Sequence, residues 1–355
     1  MRFSFWPPTE SKILQRRNGP ISAAATILFL AGVSVAWAQE PATHNFEEVA
    51  EGVFFATDAG QVYLMSNALV IVNEEDVVVV DSHVTPAAAR ALIESIEGLT
   101  DKPIRYLINT HYHFDHAHGN QAFGDDVTVV GHDYTYEKLA GDPLSERTFV
   151  SFSASFETRL TALEERLTAE ESVEGRERLE QQIRVLANHI RDSEEIVPRP
   201  PDVTLDQTLT LFLGDRVIEL HHFGRSHTGG DVVVFLPAEK LVFTGDLLLP
   251  FLSYMGDGYV EEWDETLEKL KSLDFELVLP GHGQPFRDRA RIDRFQAYLR
   301  DLWTKVLALR EQGVSAAEAA IRVDLTNHRE AYGVSEPGAD VRAVERIYSL
   351  LDGND

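Results

Sequence analysis

Cysteine is missing altogether from the 355 residues. The chain has no disulfide to staple it and no thiolate to bind a metal, so its stability cannot rest on either. Positive charge is also scarce. Lys and Arg number 32 against 58 Asp and Glu, giving a formal net charge of −26 at pH 7. So acidic a protein repels polyanions, which argues against a nucleic-acid substrate and for a small-molecule one. No internal repeat and no low-complexity tract is present. Apolar residues are plentiful, at 44%, enough for a large core in one domain with appendages or in two domains.

The amino terminus reads as an export signal. Arg2, Lys12, Arg16 and Arg17 outweigh Glu10, and residues 21–36 form an uncharged, largely apolar stretch that ends in Ala36-Trp37-Ala38. The stretch is slightly shorter than the ~20 residues of a spanning helix. Its small-x-small end is what a signal peptidase cuts, so residues 1–38 are expected to be removed and the mature chain to start at Gln39, periplasmic or secreted, with no stable membrane insertion. Arg16-Arg17 also suits twin-arginine export, and the Sec and Tat routes both stay open.

The densest chemistry lies at residues 111–116. His111, His113, Asp115 and His116 directly follow a stretch that ends Tyr106-Leu107-Ile108-Asn109-Thr110. Four such side chains crowded on one strand end are costly to bury unless a cation holds them. In an extended segment residues i and i+2 share a side, so His111 and His113 can grip one ion while Asp115 and His116, past the turn, face a second. Three further candidates end apolar strands in glycine-bearing loops: His227 before Gly229-Gly230, Asp246 after Gly245, and His282 between Gly281 and Gly283. Loops carried by a rigid sheet are where sites are built.

These segments resemble the metallo-β-lactamase superfamily, from about residue 45 to about residue 286. The resemblance implies an α+β fold, an αββα sandwich of two mixed sheets. It implies two Zn²⁺, with iron or manganese as alternatives. His111, His113 and His227 would bind the first ion, Asp115, His116 and His282 the second, and Asp246 would bridge them. Asp81, ending Val77-Val78-Val79-Val80, matches the aspartate that supports the metal loop from behind. The stretch from His227 to Asp246 resembles β-lactamases that carry a cysteine zinc ligand, but that position is Asp246 here. The lysine those enzymes use three residues later is Leu249. An aspartate bridge with His116 is similar to glyoxalase II and to quorum-quenching lactonases.

Short β-branched runs at 53–55, 68–72 and 77–80, with a turn at 73–76, predict strands and a hairpin. A helix with Pro86 in its first turn follows, burying Ala89, Leu92, Ile93 and Ile96. A second strand-rich block spans 209–279, with a helix expected over 263–273. The core domain is expected over 39–290, interrupted near 145–200 by a helical hairpin. There Leu160, Leu163, Leu167, Leu179, Ile183, Leu186 and Ile190 recur at helical spacing, with a joint near 171–172. The hairpin reads as packing on the sandwich; the alternatives are a lid over the site or a homodimer contact. Residues 291–355 form C-terminal helices packed on the domain, one of them starting at the capping box Ser315-Ala316-Ala317-Glu318.

The function implied is a zinc-dependent metallohydrolase whose metal-bridging hydroxide attacks a lactone, ester, thioester or amide. Asp115 and Asp246 stand nearest the chemistry, Asp246 fixing the ions and Asp115 accepting a hydrogen bond from the hydroxide. Alternatives are a class B-like β-lactamase and an iron-dependent persulfide oxygenase, although the latter needs only two His and one Asp. Phe251 and Tyr254 fall where substrate-contacting loops lie, and the Tyr254 hydroxyl is a candidate oxyanion donor. His83 is placed behind the metal loop. His118 is read as supporting or surface, His221 and His222 as structural, and His132 and His189 as surface or packing residues.

Overall fold

The computed structural model describes residues 42–354. The export segment therefore lies outside the described residues. A mixed seven-stranded sheet runs in chain order: β1 (His44–Ala50), β2 (Val53–Asp58), β3 (Ala68–Val72), β4 (Val77–Val80), β5 (Ile104–Ile108), β6 (Thr128–His132) and β7 (Val203–Leu205). The first four pair antiparallel and the last four parallel. The second sheet has five strands: β8 (Thr208–Leu213), β9 (Arg216–His221), β10 (Val233–Leu236), β11 (Leu241–Gly245) and β12 (Leu277–Pro280), in the order β12-β11-β10-β9-β8.

Strand alternation assigns each residue to a layer. In β4, Val78 and Val80 face the inter-sheet core with Phe55, Ile108, Ile218, Val234 and Phe243. Val77 and Val79 face outward, onto Ala89, Leu92 and Ile96 of α1 (Pro86–Glu97). All four valines are fully buried, and each burial contributes about 1.5–3 kcal/mol. The outer face of the second sheet is covered in the same way. Val233, Phe235 and Val242 pack with Trp263, Leu267, Phe295, Leu299, Val344 and Ile347. The result is the αββα sandwich of two mixed sheets that the resemblance implied.

Further helices connect these layers. They are α2 (Phe114–Ala117) in the metal motif, α3 (Asp133–Ala140), α4 (Arg147–Ser153), α5 (Phe156–Ala169), α6 (Val173–Ser193), α7 (Val260–Leu270), α8 (Ala290–Glu311), α9 (Ala316–Arg322), α10 (Arg329–Tyr332) and α11 (Val341–Leu351). Helices α3 to α6 occupy the stretch between β6 and β7. The Ser315 hydroxyl caps α9 by accepting from Glu318 N at 3.3 Å. Helix α7 starts at Val260, three residues before the expected 263, and ends at Leu270 rather than 273. Glu261 and Glu262 occupy its first turn, where the helix dipole favours negative charge. Among the described residues no helix is long and apolar enough to cross a membrane.

Candidate metal centre

Both sheets end on one rim, and the loops leaving β4, β5, β9, β11 and β12 meet there. After β4 the chain turns through Asp81 and His83, both with positive φ (65° and 64°), a conformation uncommon outside glycine that Asp and His adopt more readily than most. This turn buries the Asp81 carboxylate behind the metal motif. The His227 turn is held from inside by Asp231, which accepts from Ser226 Oγ at 2.6 Å and from Thr228 N and Oγ1 at 2.8 Å. Asn67 pins the His282 loop by donating to the carbonyls of Pro280 and Gly283 at 3.0 and 2.9 Å.

All seven sequence-predicted ligands come together. Ligand atoms of His111, His113 and His227 lie within 4.8 Å of one another, as do those of His111, His116 and Asp246 and those of Asp115, His116 and His282. His113 Nδ1 is 2.9 Å from His227 Nε2 and 3.2 Å from His111 Nε2. His282 Nε2 is 3.1 Å from Asp115 and 3.3 Å from Asp246. Asp246 stands between the groups, 3.6 Å from His227 Nε2 and 3.5 Å from His116 Nε2.

The outward ring nitrogens show why these imidazoles suit a cation. His116 Nδ1 meets Asp81 at 2.7 Å, His113 Nε2 meets Asp257 at 3.1 Å, and His227 Nδ1 and His282 Nδ1 meet the carbonyls of Tyr254 and Met65 at 2.9 and 3.0 Å. The Thr110 hydroxyl donates to Asp81, so toward His111 Nδ1, 3.0 Å away, it accepts. A neutral imidazole that donates outward presents a lone pair inward, and a charged one does so once an incoming cation displaces its proton. Lone pairs about 3 Å apart repel, and the buried Asp246 Oδ1 has no hydrogen-bond partner among the described residues. A metal ion satisfies both, so the donor set fits the cations that the resemblance implied.

Charge within the cluster is balanced. Burial pushes the His111 and His227 imidazoles down, His227 to about 3. Burial also opposes the charged form of His116, but Asp115, Asp81 and Asp246 outweigh it and lift the ring to about 9. His282 is raised well above its ordinary value against the same burial, by Asp246 and Asp115. Burial raises Asp115 and Asp246 in turn, yet His116 and His282 hold both below the usual carboxylate range.

The cluster opens into a cavity of about 570 Å³. Its wall includes Phe114, Phe152, Leu249, Phe251, Leu252 and Met255. Phe251 and Tyr254, the expected substrate contacts, both line it, and Phe251 is about half exposed.

Residues 63–282 match the family described as the Metallo-beta-lactamase superfamily. The chain belongs to this superfamily. It is 21% identical over 282 residues to a linear primary-alkylsulfatase of Pseudomonas sp. (strain ATCC 19151), covering 73% of this chain and 50% of that protein. A metallo-beta-lactamase type 2 of Bacillus sp. (strain 170) is 25% identical over 254 residues, 69% of this chain and 78% of that one. Among solved structures, a stereoselective inverting sec-alkylsulfatase from Pseudomonas sp. superposes with a TM-score of 0.63 at 16% identity, covering 86% of this chain and 50% of that chain. A metallo-beta-lactamase from Pontibacter korlensis gives 0.52 at 19% identity, covering 72% and 99%. The chain thus spans half the length of the alkylsulfatases it matches.

The remaining candidates sort out around this superfamily site. His83 lies behind the metal loop, bound to Ser66 Oγ at 3.2 Å, and Ser66 donates to the Asp115 carbonyl at 2.5 Å. His118 is buried beside Phe149, outside the ligand groups. His221 pairs with Glu219, and His222 donates to the Asp231 carbonyl. His132 and His189 are buried, so both pack rather than face solvent. Sequence reasoning missed Asp257, Thr148 and Arg342. The signal for Asp257 was an acid between two glycines, Gly256-Asp257-Gly258, close after Asp246. For Thr148 and Arg342 the sequence offered none.

Proposed function

We propose that this chain is a dinuclear zinc-dependent hydrolase that opens a carbonyl substrate, a lactone, ester, thioester or amide, with an apolar body. The observation that carries this reading is the convergence of five outwardly anchored imidazoles with Asp115 and Asp246 beside one cavity. His111, His113 and His227 would hold the first ion and Asp115, His116 and His282 the second, with Asp246 between them. Two zinc ions there would supply Lewis acidity, which lowers the pKa of a water from 15.7 to about 7.

The chain's own residues supply position and shape. Asp246, buried between the two groups, keeps them at a fixed separation. The Asp115 carboxylate lines the cavity and accepts a hydrogen bond from the attacking water, aiming its lone pair at the substrate. Phe114, Phe152, Phe251 and Leu252 surround the apolar body and exclude bulk water. Seven ligand residues, rather than two His and one Asp, favour hydrolysis over a one-iron oxygenase. The large negative charge favours a small-molecule substrate over nucleic acid.

A second reading, hydrolysis of an alkyl sulfate ester, is favoured by the reach of the alkylsulfatase likeness, 86% of the chain against 72% for the Pontibacter enzyme. Arg342 also stands in the cavity wall, with its guanidinium paired to Asp340. A β-lactam substrate is disfavoured by Leu249, buried and uncharged in that wall.

The test is a hydrolysis screen of the zinc-loaded protein against aryl esters, acyl-homoserine lactones, thioesters, β-lactams, alkyl sulfates and phosphodiesters, with Asp246→Ala and His116→Ala as controls. Turnover of a carbonyl substrate that both controls abolish supports the first reading. Turnover of alkyl sulfates alone supports the second. One iron per chain in protein purified without added metal contradicts both. We also place the mature protein, from Gln39 onward, in the periplasm or outside the cell. Amino-terminal sequencing of the exported product checks that position.

A further inference from the structure

Four of the five anchored imidazoles take their outward partner from the sandwich and its immediate loops: Thr110 for His111, Asp81 for His116, and the carbonyls of Tyr254 and Met65 for His227 and His282. His113 differs in what stands behind its partner. That partner is the Asp257 carboxylate, three residues after Tyr254 on the same loop, and its oxygen also accepts from the hydroxyl of Thr148 in the first turn of α4. The Tyr254 hydroxyl lies 3.2 Å from Thr148 Oγ1. Because Thr148 donates to Asp257, it accepts from Tyr254. Tyr254 therefore donates to Thr148 and Thr148 to Asp257, where His113 Nε2–H donates to the same oxygen from the other side.

Helix α4 is fixed in place on two further sides. Phe152 stacks on Phe114 at 4.5 Å and 21°, and Phe114 separates His113 from Asp115 in sequence. Arg147 forms an ion pair with Glu345 of α11. Thr148, Ser151 and Phe152 are themselves part of the cavity wall. The helix that a substrate would touch is thus the helix whose hydroxyl holds the carboxylate behind His113.

We infer that Thr148 is a positioning residue, orienting Asp257 and through it His113, so that α4 is a working part of the metal centre. The inference rests on the proposed zinc-hydrolase reading for its kinetic consequence, and on the hydrogen-bond chain alone for its structural one. A carboxylate that loses one of two donors gains rotational freedom, and an imidazole with a wandering partner loses its fixed tautomer. The packing of α4 does not depend on the hydroxyl, because Phe152 and Arg147 remain.

Thr148→Val keeps the shape and removes the hydroxyl, whereas Thr148→Ser keeps the hydroxyl. With zinc-loaded full-length protein, Thr148→Val is expected to lower kcat about 10-fold with KM nearly unchanged and to speed loss of one zinc to a metallochromic chelator by a similar factor. Thr148→Ser is expected to stay close to the parent in both. In the metal-free protein, heteronuclear NMR of the imidazole nitrogens should show the Nε2–H tautomer of His113 in the parent and in Thr148→Ser, and a mixed population in Thr148→Val. Zinc release and tautomer unchanged in Thr148→Val would overturn the inference, as would equal impairment in Thr148→Ser. A parent that takes up no zinc and hydrolyses nothing refutes the hydrolase reading instead, and the tautomer measurement then decides the positioning role by itself.

Discussion

The Asp81 carboxylate holds His116 directly, at 2.7 Å from Nδ1, and holds His111 through the Thr110 hydroxyl, 2.9 Å from Asp81 Oδ2 and 3.0 Å from His111 Nδ1. One residue at the tip of β4 thus orients a candidate ligand in each half of the centre. Asp81→Ala is expected to weaken zinc binding in both halves by about 10–100-fold. Zinc content after dialysis against graded free-metal buffers measures this. Full retention of two ions would show that His111 and His116 need no support from behind.

Gly281 leaves no room for a side chain. A Cβ there would lie 2.4 Å from Asp246 Oδ1 and 2.9 Å from His116 Cε1. Gly281→Ala is therefore expected to displace Asp246 and to lower metal affinity, with the sandwich still folded. Circular dichroism paired with zinc stoichiometry separates the two effects, and normal stoichiometry with normal turnover would refute the steric argument.

Metal uptake should be pH-dependent. In the metal-free centre His116, lifted to about 9, and His282, raised well above its ordinary value, are both protonated at neutral pH. An incoming ion must displace those protons, so affinity rises with pH through neutrality and protons are released on binding. Calorimetry of zinc binding at pH 7 in buffers of different ionisation enthalpy reads the release directly, and no buffer dependence would contradict it.

His189 gives the metal-free fold a separate acid sensitivity. Its ring is buried between Tyr63 at 4.3 Å and Phe156 at 4.7 Å, with neither nitrogen hydrogen-bonded among the described residues. Burial, assisted by Arg159, lowers it to about 4. The unfolded chain binds this proton more readily, so the contribution is complete above about pH 6.5 and is lost as pH falls from there toward 4, on the order of 3 kcal/mol. His189→Phe should flatten the fall of Tm across that window, and an unchanged slope would exclude His189 as its source.

Tyr254 acts on His227 through its carbonyl, and its hydroxyl is already engaged with Thr148. Tyr254→Phe is expected to keep both zinc ions and to lower kcat by no more than about threefold, because the carbonyl that anchors His227 remains. A loss of about 100-fold in kcat with KM unchanged would instead assign the hydroxyl to the developing oxyanion.

The sequence by itself determined the layers and the ligand types. Val77 to Val80 sort to two faces by alternation alone, and His111, His113, Asp115 and His116 are close in space because they are close along the chain. His227, Asp246 and His282 were legible because each ends an apolar strand in a glycine-bearing loop. Only the tertiary structure decided which partner each ring has. Thr148 and Asp257 are 109 residues apart, and Asp257 and His113 are 144 apart. No local periodicity encodes such contacts, since they form only after both sheets have stacked and α4 has settled against the rim. Ligand identity is a property of short segments, whereas the direction of a lone pair depends on everything packed behind it.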